Sequence, residues 1–356
     1  MEHERLLTNI NELEQLKKNS KDYIIPNDAI TIHYNEFFQK FIVEAETPDG
    51  TKEYYPSIIA FNQICEKIGI PRTYVKRCLE RDKQKLLAYN INEWLNEPSN
   101  FLLRTHEDKL RAFLSDRFRL IDNYDVAMLF LETRKKLEKE GIDISISNIK
   151  LSETNMYIKC TSPQLKSEII PEINNPQKND IVNGGIIISN SDIGKGRFSI
   201  KNYIEVLRCT NGMIGKHEFS RVHIGKKLDE GQINWSEHTH NLQSETFWSQ
   251  AKDMITSAFT KEIFQNWIKE INGEAQTIIN KPIQAIDNII KEFNINESDR
   301  DDLLAEFSQR GKTKWSLSNA VTQLAQKKEN YDDQIELEKI GTEIITFPLS
   351  KIVKEE

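Results

Sequence analysis

The chain has 356 residues, 38% hydrophobic and 29% charged, which is enough aliphatic and aromatic side chain at this length for more than one buried core. A net charge of −7 argues against coating nucleic acid by bulk electrostatics, yet residues 101–230 hold 21 Lys and Arg against 18 Asp and Glu, so the basic part is the middle and the acidic excess lies towards the end. The charged start MEHERLLTNINELEQLKKNS has no apolar signal region, no later stretch approaches ~20 apolar residues, and the four cysteines form no CxxC pair; a cytoplasmic chain without membrane span, zinc ribbon or disulfide framework is expected.

In chain order, Thr31 to Tyr55 reads as a β-hairpin about the turn TPDG. Ser57 then caps a helix carrying Ile58, Phe61, Ile64, Cys65 and Ile68, which Gly69 stops. Pro71 opens a second helix with Tyr74, Val75, Cys78 and Leu79 on one face and Arg72, Lys76, Arg77 and Arg81 on the other. The pair looks superficially like a helix-turn-helix; an ordinary packed helical hairpin with a solvated basic face is the better reading.

The segment LRAFLSDRFRLIDNYD reads as a strand entering a polar turn at Asp122-Asn123, followed by a helix with Val126, Leu129, Phe130, Thr133 and Leu137 on one face and a stop at Gly141. NMYIKCT, IVNGGIIISN and RFSIKNYIEVLRC read as strands, with Ser162–Asp180 as a polar loop, a hairpin turn at Gly194/Gly196, a further turn at Asn211-Gly212, and RVHIG as one more strand. From about Leu242 the pattern turns helical. Stripes run through Phe247, Ala251, Met254, Ile255, Ala258 and Phe259, then from Pro282, through Leu303 and Phe307, and after Trp315; the last dozen residues read as a frayed tail.

No nucleotide-hydrolysis motif is present, because SDIGKGRFS lacks the spacing and the following helix of a phosphate-binding loop. His217, His223, His238 and His240 are read chiefly as solvated or hydrogen-bonded rather than as metal ligands. Asp116, Asp122, Asp125 and Glu132 form a possible carboxylate set for a metal-dependent nuclease, against which Asp122 reads as a helix cap and Asp125 as a favourable charge in the first turn. The stronger pattern interleaves cations and aromatics: Arg111, Phe113, Arg117, Phe118 and Arg119 in one segment, Lys195, Arg197, Phe198, Lys201, Tyr203 and Arg208 in another. Single strands are held in this way, with cations along the backbone and rings under the bases, although any half-solvated sheet also alternates charged and apolar residues.

The pieces FNQICEKIGIPRTYVKR (61–77), RAFLSDRFRLIDNYDV (111–126), SNSDIGKGRFSIKNYIEVLRCTNGMI (189–214), RVHIG (221–225) and WSLSNAVTQLA (315–325), in this order, resemble the DUF932 family of phage and plasmid-like proteins. The resemblance implies a mobile-element protein in DNA metabolism or host interaction, and it brings no established catalytic residues. A helix followed by a meander of strands is also reminiscent of single-strand annealing proteins of the Rad52 type, an analogy of pattern.

The expected fold is α+β: a central, mostly antiparallel sheet with flanking helices, then a helical C-terminal region. Three segments are expected, an N-terminal hairpin with a helical hairpin (1–100), a basic α+β region (101–235) and an acidic helical region (236–356). The expected function is nucleic-acid binding, single-stranded DNA favoured, without cofactor, metal site or catalytic residues. A chain that binds a host or phage protein without nucleic acid stands as the alternative, a metal-dependent nuclease as a second, and homo-oligomerisation is left open.

Overall fold

The structure, a computed structural model, describes residues 2–96, 99–172, 177, 179–208, 211–221 and 237–353. The architecture is α+β. Two sheets form, where one central sheet was expected, and the chain divides into two compact units that are not continuous in sequence. Among the described residues, unit 1 lies within 2–124 and 191–197, and unit 2 within 125–190, 198–221 and 237–353. No helix among the described residues is long and apolar enough to cross a membrane.

Unit 1 runs α1 (Glu2–Asn19), β1 (Ser20–Pro26), β2 (Ile30–Asn35), β3 (Lys40–Thr47), β4 (Gly50–Pro56), α2 (Ile58–Lys67), α3 (Arg72–Glu80), α4 (Gln84–Trp94), β5 (Asn100–His106) and β6 (Lys109–Ser115). The strands form a six-stranded sheet in the order β1-β5-β6-β4-β3-β2, antiparallel except where β4 runs parallel to β6. The turn between β3 and β4 is the expected TPDG, with Gly50 at φ 100°, a left-handed angle that glycine adopts without steric cost. Ser57 caps α2 as expected, its Oγ accepting from the Ala60 amide at 3.0 Å, and Gly69 at φ 73° ends that stretch. Ile25, Ile32, Val43, Ile64, Leu87, Ile91, Leu103 and Phe113 fill the core; Leu79, read as part of an apolar face, is 43% exposed.

The edge strand β2 is blunted. Asn92 of α4 accepts from the Ile32 amide at 2.8 Å and donates to the Ile32 carbonyl at 2.9 Å, so one side chain takes the place of a neighbouring strand.

Unit 2 comprises α5 (Asn123–Lys139, apart from its first two residues), β7 (Ser145–Leu151), β8 (Met156–Ile169), β9 (Asp180–Asn190), β10 (Phe198–Val206), β11 (Asn211–Arg221) and α6 (Glu237–Ala258). It continues with α7 (Lys261–Ala275), α8 (Pro282–Glu292), α9 (Arg300–Arg310), α10 (Lys314–Ala325), α11 (Tyr331–Thr346) and α12 (Leu349–Ile352). Its sheet is a wholly antiparallel meander, β11-β10-β9-β8-β7. Tyr157, Ile187, Tyr203 and Ile214 of one sheet face pack with Ile335 of α11. The helical layer has its own core, including Ile286, Ile289, Leu303, Phe307, Leu317 and Ile344.

Four local expectations are corrected. The stretch Thr31 to Tyr55 is not one hairpin, because a turn at Glu36-Phe37-Phe38-Gln39 divides its first arm into the antiparallel pair β2 and β3. The segment Ser162–Asp180 is not wholly a loop, because β8 continues to Ile169: the register with β9 shifts between Ser162 and Lys166, and this irregularity accommodates Pro163, which has no amide to give. Asn211-Gly212 is not the apex of a turn; Asn211 is fully buried, pairs with Val206 and starts β11. The C-terminus is helical to Ile352, which is fully buried in the helical core. Residues 222–225 of RVHIG lie outside the described residues.

Candidate functional site

Of the eleven cationic and aromatic residues singled out in the sequence, Phe113 and Phe198 are fully buried, which corrects their reading as stacking rings, and the other nine divide between the units. Arg111, Arg117, Phe118, Arg119, Lys195 and Arg197 belong to unit 1, and Lys201, Tyr203 and Arg208 to unit 2.

In unit 1, β6 ends at Ser115 and the chain turns through Arg117, which is exposed, and Phe118, which is half-buried. The segment 191–197 packs beside this turn. Gly194 has φ 75°, and a Cβ built on it falls 2.6 Å from Leu114 Cδ2 and 3.2 Å from the Phe118 ring, so only glycine lets the backbone approach so closely. Gln63 of α2 clamps the segment to β6, donating to the Ile193 carbonyl at 2.8 Å and accepting from the Phe113 amide at 2.9 Å.

The segment's Lys195, exposed, reaches Glu66 at 3.6 Å, and the other oxygen of Glu66 accepts from Arg72 at the start of α3. The Arg72 hydrogen bond, with Lys195 adding, holds the Glu66 carboxyl below its usual range. Three basic pieces distant in sequence, beginning at Arg72, Arg117 and Lys195, thus meet on one unit. Arg72, Lys76, Arg77 and Arg81 were set aside in the sequence as a solvated helix face; all four are exposed, and nothing in their own spacing tells that Glu66 will join Arg72 to Lys195.

A buried ionic network lies in the same unit. Arg104 of β5, 2% exposed, stands opposite Asp22 of β1 in the sheet register. Its Nε donates to Asp22 at 2.8 Å, Nη2 to Asp122 at 2.6 Å and Nη1 to the Asp192 carbonyl at 2.7 Å. Arg111 closes the circuit, donating to both Asp192 oxygens at 3.1 and 3.2 Å. Burial raises the Asp22 carboxyl, with Arg104 opposing. Arg111 is therefore committed to fixing Asp192 at the base of the 191–197 segment, and Asp122 serves as the acceptor for Arg104, with Lys17 at 3.8 Å.

Unit 2 treats its three residues differently. Lys201 pairs with Glu218 at 3.3 Å, both half-buried, and Arg208 is exposed with Nη1 donating to the Gln177 carbonyl at 3.2 Å. Tyr203 is 3% exposed and offers no ring face to a base, which corrects its reading as a stacking residue. Its ring lies against Gly212 and 5.4 Å from the Lys159 ammonium, which has the Tyr331 ring at 5.3 Å and the Glu338 carboxylate at 2.6 and 2.8 Å. The alternation that looked like a half-solvated face arises because α11 covers it and matches its charge from within.

Asp116 is exposed, Glu132 pairs with Lys252 at 3.3 Å, and among the described residues no three His, Cys, Asp or Glu side chains gather into a set that could hold a metal. His223 and the side chains of His217, His238 and His240 lie outside the described residues. Comparison with family models, with curated proteins and with solved structures gives no match for this chain.

Proposed function

We propose that the chain binds nucleic acid, single strands preferred, through the basic surface of unit 1 formed by α3, the turn after β6 and segment 191–197. The observation that carries this reading is the seating of Gly194 against Leu114 and Phe118 while Lys195 shares Glu66 with Arg72, which gathers cations from three parts of the chain. A polyanion gains from such a group because each neutralised phosphate releases counterions, and Phe118 lies among the cations. Glu66 at the centre partly offsets the charge and fixes the positions of Arg72 and Lys195.

A second support is the DUF932 resemblance, itself a proposal. Its pieces 61–77, 111–126 and 189–214 contain Glu66 and Arg72, Arg117 and Phe118, and Gly194 and Lys195, the residues that unit 1 folds together. On this reading the chain is a mobile-element protein acting on single strands in recombination or replication, and the buried networks of Arg104 and Lys159 are structural.

The test is an anisotropy titration of a labelled oligonucleotide, single- and double-stranded, over a range of salt. Affinity should fall with a slope of about 0.7 log units per log unit of salt for each phosphate neutralised on a single strand. Absence of binding at low salt, or binding indifferent to salt, contradicts the proposal.

A further inference from the structure

We infer that the turn between β2 and β3 is an aromatic platform on which unpaired bases stack; the inference rests on the nucleic-acid reading above and assigns it a mode. The turn is Asn35-Glu36-Phe37-Phe38-Gln39-Lys40, and Phe37 and Phe38 are 88% and 56% exposed. Single exposed apolar side chains need no explanation, but two adjacent phenylalanines at the tip of a hairpin forgo burial together.

The backbone of the tip is held by local hydrogen bonds. Asn35 Oδ1 accepts from the Phe37 and Phe38 amides at 3.0 and 3.1 Å, and Gln39 takes the left-handed angle φ 50° that closes the turn. The two rings meet edge to face with centroids 5.0 Å apart, Glu36 is held by Lys85 of α4 at 2.7 Å, and below the tip Phe41 packs on Tyr34 and Phe61. Rings held in this way lose little freedom when a planar partner arrives.

Register places the tip at the same end of the sheet as the turn after β6. Val43 of β3 pairs with Tyr54 of β4, and Pro56 of β4 pairs in parallel with Leu110 of β6, so the start of β3 and the end of β6 lie at the same end of the sheet. Phe37 and Phe38 precede β3 there, and Arg117 and Phe118 follow β6 there. Cations that track a phosphate backbone beside exposed rings that accept any base face are the two parts of a single-strand site. A second copy adding a strand to β2 is disfavoured, because Asn92 already occupies the Ile32 amide and carbonyl.

The experiment compares the full chain with F37A/F38A and F37Y/F38Y, using a labelled single strand and a duplex of the same sequence. Stacking lost from one or two bases should weaken single-strand binding by roughly tenfold or more in F37A/F38A, with duplex binding and the salt slope unchanged and F37Y/F38Y close to the parent. Melting temperature is followed to show that these exposed positions leave the fold intact.

The outcomes separate the two claims. If the parent chain binds no oligonucleotide, the nucleic-acid reading fails and this inference with it. If the parent binds with the expected salt slope while F37A/F38A binds equally well, or loses single strand and duplex alike, the stacking platform is overturned and the basic surface stands. A change in sedimentation or in binding to lipid vesicles with oligonucleotide affinity unaltered assigns the tip to a second copy or a lipid surface, and equally overturns it.

Discussion

Lys159 and Glu338 form an ion pair inside unit 2, joined at 2.6 and 2.8 Å, with side chains 7% and 1% exposed. Burial pushes the Glu338 carboxyl above its usual range, with Lys159 opposing. Because desolvating two charges costs about as much as their attraction returns, the pair is expected to matter more for where α11 docks than for net stability. Removing one partner, as in Lys159→Met or Glu338→Leu alone, should destabilise the chain by about 3–5 kcal/mol in urea unfolding, since it strands a buried charge. The double variant Lys159→Met/Glu338→Leu should recover most of that loss. Single variants near neutral, or a double variant as unstable as the sum of the two, would contradict this account.

Asp49, at the turn between β3 and β4, accepts from Lys21 at 2.7 Å and from the Tyr23 hydroxyl at 2.9 Å, with Lys52 at 3.5 Å. These bonds, the Lys21 one foremost, lower its carboxyl from the ordinary 3.8 to about 2. A folded-state value below the unfolded one gives stability that is present above the unfolded value and is lost as pH falls through the folded value. Asp49→Asn should therefore be less stable than the parent near neutral pH, and the gap should close as pH falls from about 4 towards 2. A gap that stays constant over that window would show that the carboxylate contributes nothing through ionisation.

Gly194→Val tests the seating of segment 191–197. The substitution puts a β-branched residue at φ 75° and a Cβ 2.6 Å from Leu114, at a cost of about 1–3 kcal/mol that the segment relieves by leaving its place. Oligonucleotide affinity should drop. The control Gly273→Ala, where nothing lies within 4 Å, should bind like the parent. Equal affinity for both would separate binding from the geometry of this segment.

Local chemistry made part of the fold legible. Pro48-Asp49-Gly50 marked its turn, Ser57 its cap, Gly69 and Gly141 their helix ends and Pro282 the first turn of α8, because each acts within a few residues of itself. What escaped depends on partners distant in sequence. Tyr203 reads as exposed until Tyr331 and Ile335 of α11 cover it, and Pro163 reads as a strand breaker until the register with β9 shifts around it. Ile352 reads as tail until the helical core closes over it. The candidate site was legible as cations and rings at Arg117, Phe118 and Lys195, but Arg111 is a fixing residue for Asp192, Arg72 was passed over, and the exposed pair Phe37 and Phe38 was read as strand. Periodicity cannot tell a hairpin tip from the strand that leads to it when both are apolar.

The measurement that tests the central claim most directly is the salt dependence of single-strand binding in the charge-reversal variant R117E/K195E/R197E, beside a control of equal charge change at exposed lysines of unit 2, K261E/K269E/K351E. The account predicts a large loss of affinity and a shallower salt slope, reduced by about 0.7 for each phosphate contact removed, in the first variant, and smaller changes in the control. Equal effects of the two variants, or none from the first, would contradict it.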